Sequence, residues 1–199
     1  EQIAKALNYL HKAGSGHRCF HRDIKSDNIC LTETYAAKLI DCGLAMLIGN
    51  EDGSNGESKG KSKFTATGGI LGTSGYLAPE YGTSGKYSEK ADIFSFGIVI
   101  LEVISGKVQL QDELDLYDLF EEDEAFLESY TDERPPEAEG GNIINRLYEL
   151  ATHCLSKKRD RYNTTKVLEV LVGLTRQYCI PTIEEEILQK AREDAEQLR

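Results

Sequence analysis

Within one short segment, His21-Arg22-Asp23-Ile24-Lys25-Ser26-Asp27-Asn28, the chain gathers a base, a cation and a metal ligand. A further carboxylate follows in Asp41-Cys42-Gly43, and a third string is Ala78-Pro79-Glu80. Any one of these strings is a weak signal, whereas three in a fixed order are not. Between the first two lie apolar runs at residues 29–31 and 36–40, separated by residues 32–35. They predict a hairpin that holds Asn28 and Asp41 near each other at its strand ends.

The rest of the chain reads as mainly helical. Ile3, Leu7 and Leu10 recur at helical spacing over residues 1–11 with no N-cap before them, so upstream sequence is expected. Residues 90–105 are apolar nearly all round, which predicts a buried central helix ended by Gly106. Residues 143–155, 164–177 and 183–198 predict three more helices, and residues 112–139 form an acidic stretch broken by Pro135-Pro136. Residues 49–63 are rich in Gly, Ser, Asn and Lys without apolar period and predict a mobile loop. Within it, Gly60-Lys61-Ser62 looks like the end of a phosphate loop, but Asn55 stands where the first glycine would be.

Composition narrows the partners. With 34 acidic against 23 basic residues the net charge is −11, which disfavours nucleic acid or an anionic membrane surface. No apolar run is long enough to span a bilayer and no signal peptide is visible. The 5 cysteines form no C-x-x-C pair and read as reduced thiols of a cytoplasmic protein.

The three strings resemble, in order, the catalytic loop, the metal-binding D-F-G and the A-P-E of protein kinases. The resemblance implies the large C-terminal lobe of the protein-kinase fold over residues 1–178, mainly α with a short β-hairpin at the catalytic loop, and a helical extension over 179–199. The small β-rich lobe is missing, because no G-x-G-x-x-G loop and no V-A-I-K-type strand precedes the catalytic loop. The chain alone is therefore expected to transfer no phosphate. By position, Asp23 would accept the substrate hydroxyl proton, Lys25 would face the γ-phosphate of ATP, and Asn28 and Asp41 would hold Mg2+. His21, Asp92 and the pair Glu80–Arg161 would be structural, with Asp92 anchoring the catalytic-loop backbone. A kinase-fold scaffold without catalysis is the alternative reading.

Leu71-Gly72-Thr73-Ser74-Gly75-Tyr76-Leu77-Ala78-Pro79-Glu80-Tyr81 and Ala91-Asp92-Ile93-Phe94-Ser95-Phe96-Gly97 resemble the receptor-like and Pelle group of Ser/Thr kinases. Ala151-Thr152-His153-Cys154-Leu155 and the acidic stretch look most like interleukin-1-receptor-associated kinases, which act below Toll and interleukin receptors. This implies a protein Ser/Thr substrate, a receptor or adaptor complex engaged through upstream regions, and contact of Thr73 with Asp23 and Lys25. It also implies that phosphorylation of Thr67, or of Thr65, docks the loop on Arg22. One departure stands out: Cys42 replaces the phenylalanine of D-F-G, whose ring in the family packs beneath the regulatory helix of the small lobe, so the smaller side chain predicts a void there unless neighbours fill it.

Overall fold

The computed structural model describes residues 1–12, 17–49, 69–109, 115–122, 126 and 140–178. In chain order these form helix α1 (Gln2–Lys12), strand β1 (His17–Phe20), strands β2 (Ile29–Leu31) and β3 (Ala37–Leu39), and strand β4 (Met46–Gly49). Helices α2 (Pro79–Ser84), α3 (Glu89–Ser105), α4 (Leu116–Glu122), α5 (Gly140–Leu155) and α6 (Thr164–Gln177) follow. Single 3-10 turns precede β2 at Ser26–Asn28 and follow β3 at Cys42–Leu44. The described residues thus build a mainly helical body with two small two-stranded sheets.

Helix α3 is the centre of that body. Phe94, Ile93, Ile98, Leu101 and Ile104 are buried on all its sides. It ends as the sequence predicts, on Gly106 at φ 67, whose N–H closes on the Glu102 carbonyl. Helix α5 packs on α3 where Gly97 lets the backbones approach: a Cβ there would meet the Cys154 Cβ at 2.8 Å. Helix α1 lays Ile3, Ala4 and Leu7 against the core and contacts α6 and β1.

The predicted hairpin forms, with Ile29 opposite Leu39 and Leu31 opposite Ala37, although β3 spans Ala37–Leu39 rather than 36–40. The Ile40 N–H then donates to the Asn28 carbonyl at 2.9 Å, which joins the two site-bearing ends. A second antiparallel ladder, β1 with β4, places Phe20 opposite Met46 and fixes His21 and Ala45 beside each other's strand ends. Sequence reading gave no strand at either place. It also missed α2, although Pro79 at the first turn and Gly85 at φ 64 past the end are standard helix limits. Helix α4 lies in the acidic stretch, and α5 begins at Gly140 rather than at residue 143. The helix expected over 183–198 and the mobile loop expected over 49–63 lie outside the described residues, save Gly49, which closes β4.

Two buried ionic centres tie the helical body together. Arg161, 3 % exposed, grips Glu80 with both terminal nitrogens at 2.7 and 3.1 Å. Its remaining donors reach the Ser156 and Lys90 carbonyls, and its plane lies 5.0 Å from the Phe94 ring centroid. Removing one partner strands the other and costs roughly 3–5 kcal/mol. Arg161→Met is therefore expected to lower the unfolding free energy by about that amount, read as a lower urea midpoint at an unchanged slope for the purified protein.

Asp92, fully buried, is the second centre. Burial alone would raise its carboxyl, but hydrogen bonds from His11, Tyr87 and the Arg22 backbone, with the His11 charge, hold it below the ordinary 3.8. A lowered carboxyl contributes stability that is complete above its unfolded value and is lost as pH falls through the folded value. Stability is thus expected to fall with acid below roughly pH 4. In Asp92→Asn the plateau should drop by about 3 kcal/mol and the acid limb should flatten, measured by urea midpoints across pH.

Candidate active site

Asp92 shapes the loop that carries the site. Its Oδ2 accepts the His21 N–H at 3.0 Å and the His11 ring Nε2–H at 2.7 Å, and its Oδ1 accepts the Arg22 N–H at 2.9 Å and the Tyr87 hydroxyl at 2.5 Å. Two successive backbone amides held on one carboxylate place Arg22 in the left-handed region at φ 72, an arrangement costing of order 1–3 kcal/mol. His11 and Tyr87 were not singled out by sequence reading. His11 carried a signal, since it continues the buried Ile3 and Leu7 stripe of α1; Tyr87 carried none.

His21 is buried and crosslinks the two halves of the site. Its Nε2–H donates to the Ile40 carbonyl at 3.1 Å while its Nδ1 accepts the Asp23 N–H at 3.3 Å, a pattern that requires the neutral Nε2–H tautomer. The imidazole thus spaces Asp23 from the segment that leads into Asp41.

Asp23 sits at the centre of a closed polar cluster. Its Oδ1 accepts the Thr73 hydroxyl at 2.6 Å, and its Oδ2 accepts the Asn28 amide at 3.0 Å. Lys25 donates to the Thr73 oxygen at 2.9 Å and lies 3.4 Å from Asp23 Oδ2. Burial pushes the Asp23 carboxyl up, but the Thr73 and Asn28 hydrogen bonds and the Lys25 charge outweigh it and hold the group below its ordinary value. Asp23 is accordingly an anion at neutral pH. Thr73 reaches this cluster because Gly72 turns at φ +127 against the Arg22 carbonyl, where a Cβ would lie 2.9 Å from that oxygen.

The ATP and Mg2+ implied by the motifs find suitable oxygen donors. Asn28 donates its amide N–H groups to both the Asp23 carbonyl and Asp23 Oδ2, at 2.8 and 3.0 Å. That commitment leaves its side-chain carbonyl oxygen as the free, hard ligand. Asp41 stands exposed at φ 60, its Oδ1 accepting the Gly43 N–H at 3.1 Å and its second oxygen open. Among the described residues no cluster of three or more His, Cys, Asp or Glu could cage a metal. Two protein oxygens with phosphates and water completing the shell is the arrangement Mg2+ favours.

Cys42 is exposed in the 3-10 turn after Asp41, and the described residues include no small-lobe helix that could pack on it. Arg22 is buried beside the Tyr87 ring, 5.6 Å from its centroid, and reaches the Tyr81 hydroxyl at 3.4 Å. Thr65 and Thr67 lie outside the described residues.

The comparisons with known proteins agree with this geometry. A family model described as the protein kinase domain matches residues 1–171. The chain is 36 % identical over 175 residues to the LRR receptor-like serine/threonine-protein kinase ERL1 of Arabidopsis thaliana, covering 86 % of this chain and 17 % of that protein. It is 33 % identical over 175 residues to the LRR receptor-like serine/threonine-protein kinase SIK1 of Oryza sativa subsp. japonica, again 86 % and 17 %. Against the receptor-like serine/threonine-protein kinase NCRK of Arabidopsis thaliana it is 43 % identical over 108 residues, 54 % of this chain and 18 % of that one. The chain thus spans less than a fifth of the length of these relatives. With a kinase-domain match over most of its length and the motif residues gathered around Asp23, the chain belongs to the protein kinase family.

Proposed function

We propose that this chain carries the catalytic half of a serine/threonine protein kinase that phosphorylates protein hydroxyls in receptor-linked signalling. The observation that carries the reading is the hydroxyl of Thr73, which joins Lys25 to Asp23 in one hydrogen-bonded line. A fixed anion and a fixed cation either side of one hydroxyl are what an acceptor Ser or Thr and a γ-phosphate require. ATP with Mg2+ supplies the phosphoryl group and a neutralised leaving group. Asp23 orients the acceptor hydroxyl and takes its proton as the new O–P bond forms and the bridging P–O bond to the β-phosphate breaks. Lys25 offsets charge on the transferring group, and Asn28 and Asp41 present the metal ligands.

The relatives support a receptor-like kinase, whereas residues 151–155 and the acidic stretch support the interleukin-receptor-associated branch of the same group. The two branches share the reaction and differ in the receptor served. The test of the reaction is Asp23→Asn in the full-length protein, which keeps the size and removes both the charge and the proton acceptor. Turnover on a Ser/Thr peptide is expected to fall by about 10²–10⁴-fold. Near-native turnover of the variant would remove Asp23 from the assigned role, whereas a full-length wild type that transfers no phosphate would favour a scaffold.

Control is proposed to act through Arg22. Its Nε is buried without a hydrogen-bond partner among the described residues, so the guanidinium has unused donor capacity. A phosphothreonine brings about −1.5 to −2 charges and several acceptor oxygens, enough to order a loop on such a cation. Thr67, or else Thr65, would carry it. Thr67→Ala/Thr65→Ala is expected to match the phosphatase-treated wild type in low peptide turnover, whereas the autophosphorylated wild type is active. Full activity of the double variant, insensitive to phosphatase, would exclude the switch.

A further inference from the structure

Tyr81 is fully buried in α2, directly after Glu80, and its ring meets the Tyr87 ring edge-on at 4.8 Å. A phenylalanine would fill the same space, so the hydroxyl needs its own account. A buried hydroxyl is costly without partners, and this one accepts two donors from two other segments. The Leu71 N–H reaches it at 2.9 Å and the Arg22 Nη2–H at 3.4 Å. Among the described residues this is the only hydrogen bond of the Arg22 side chain, and the only one of the Leu71 amide.

The two donors bracket the site. Arg22 directly precedes Asp23, and Leu71 lies two residues before Thr73, whose hydroxyl joins Asp23 to Lys25. Between Leu71 and Thr73, Gly72 stands against the Arg22 carbonyl, where a Cβ would lie at 2.9 Å. The Thr73-bearing loop therefore meets Arg22 twice, once at its backbone and once through an acceptor shared with its guanidinium.

The hydroxyl is carried on a fixed post. Glu80, one residue earlier, takes two bonds from Arg161 at 2.7 and 3.1 Å, and the Gly85 N–H closes α2 on the Tyr81 carbonyl at 2.8 Å. The Tyr87 ring that flanks Tyr81 also lies 5.6 Å from the Arg22 guanidinium, and its own hydroxyl is held by Asp92. With ring and backbone both held in a close-packed interior, a shift of the guanidinium is passed to Leu71 through one oxygen.

We propose that Tyr81 is a positioning residue for phosphoryl transfer, its hydroxyl coupling the Arg22 side chain to the loop that presents Thr73 to Asp23 and Lys25. The inference rests on the kinase reading above and adds to it a residue that touches no substrate. It gives Arg22 a route to the reacting groups: guanidinium to Tyr81 oxygen, oxygen to Leu71 amide, and through Gly72 to Thr73. Displacement of a catalytic group by about 1 Å can cost of order 10²-fold in rate. Asn28 and Asp41 lie outside this connection, so nucleotide affinity should not follow the loss.

The experiment uses the full-length kinase as Tyr81→Phe, Arg22→Met and the double variant, at matched phosphorylation read by mass spectrometry. Steady-state rates on a Ser/Thr peptide are taken well below Tm and normalised to folded protein, with KM for ATP measured alongside. Tyr81→Phe is expected to lower kcat about tenfold with KM for ATP within about twofold of wild type. The double variant is expected to fall within about twofold of the slower single variant, because both changes cut one connection. Unchanged kcat in Tyr81→Phe overturns the positioning role, and so does a loss that vanishes on normalisation. Losses that multiply in the double variant overturn the coupling to Arg22. Tyr81→Phe alone decides the positioning role should Arg22→Met not fold. A full-length wild type that transfers no phosphate overturns the kinase reading and this inference with it, a failure read from the wild type and not from the variants.

Discussion

A carboxylate in a protein interior loses several kcal/mol of hydration, and Asp92 recovers it only because four donors converge on its two oxygens. Two of those donors are the consecutive backbone amides of His21 and Arg22. The catalytic loop is thereby hung from the central helix by its own main chain. From that point the remaining geometry follows. Arg22 is forced to positive φ, Asp23 is turned toward Thr73, and His21 is left with one ring nitrogen for Asp23 and one for Ile40.

Helix α3 acts as a rigid ruler for the site. It is buried along almost its whole length, and a helix so enclosed has little freedom to shift. Three of its buried polar members reach the active-site loops: Asp92 holds the His21 and Arg22 amides, while Ser95 and Glu102 hold Tyr76 by its carbonyl and its hydroxyl. Their spacing on one rigid helix converts local hydrogen bonds into a fixed separation between loops distant in sequence. The Glu80–Arg161 pair does the same for α2, where the guanidinium is fully used by carboxylate, two carbonyls and a ring face.

Electrostatics within the cluster favours positioning over strong basicity. Asp23 is held below the ordinary carboxylate range by Thr73, Asn28 and Lys25 against the opposing effect of burial. In the proposed reaction such a fixed anion would orient a hydroxyl and take its proton late, which suits a transition state that makes little demand for deprotonation. Asn28 illustrates the same economy: two N–H bonds to Asp23 orient its amide and leave the oxygen available as a ligand.

Much of this was legible in the sequence because it is local. The hairpin, the central helix, its Gly106 end and helix α6 follow from apolar period and end signals within a dozen or so residues. The motif strings pointed to Asp23, Lys25, Asn28 and Asp41, because their order and spacing resemble the kinase strings. The β1–β4 ladder was not legible, since each strand is four residues long and its partner is remote. Nor were the His11 and Tyr87 partners of Asp92, 81 and 5 residues away, or the three donors on Glu102, whereas the hold of Asp92 on the loop backbone was expected from the motif resemblance. Cys42 is exposed among the described residues, because the packing expected of that position involves a small-lobe helix that they do not include. The chemistry of this chain was therefore set by its residues alone, whereas their alignment was decided by tertiary packing, because a buried carboxylate can choose its donors only after distant segments have been brought together.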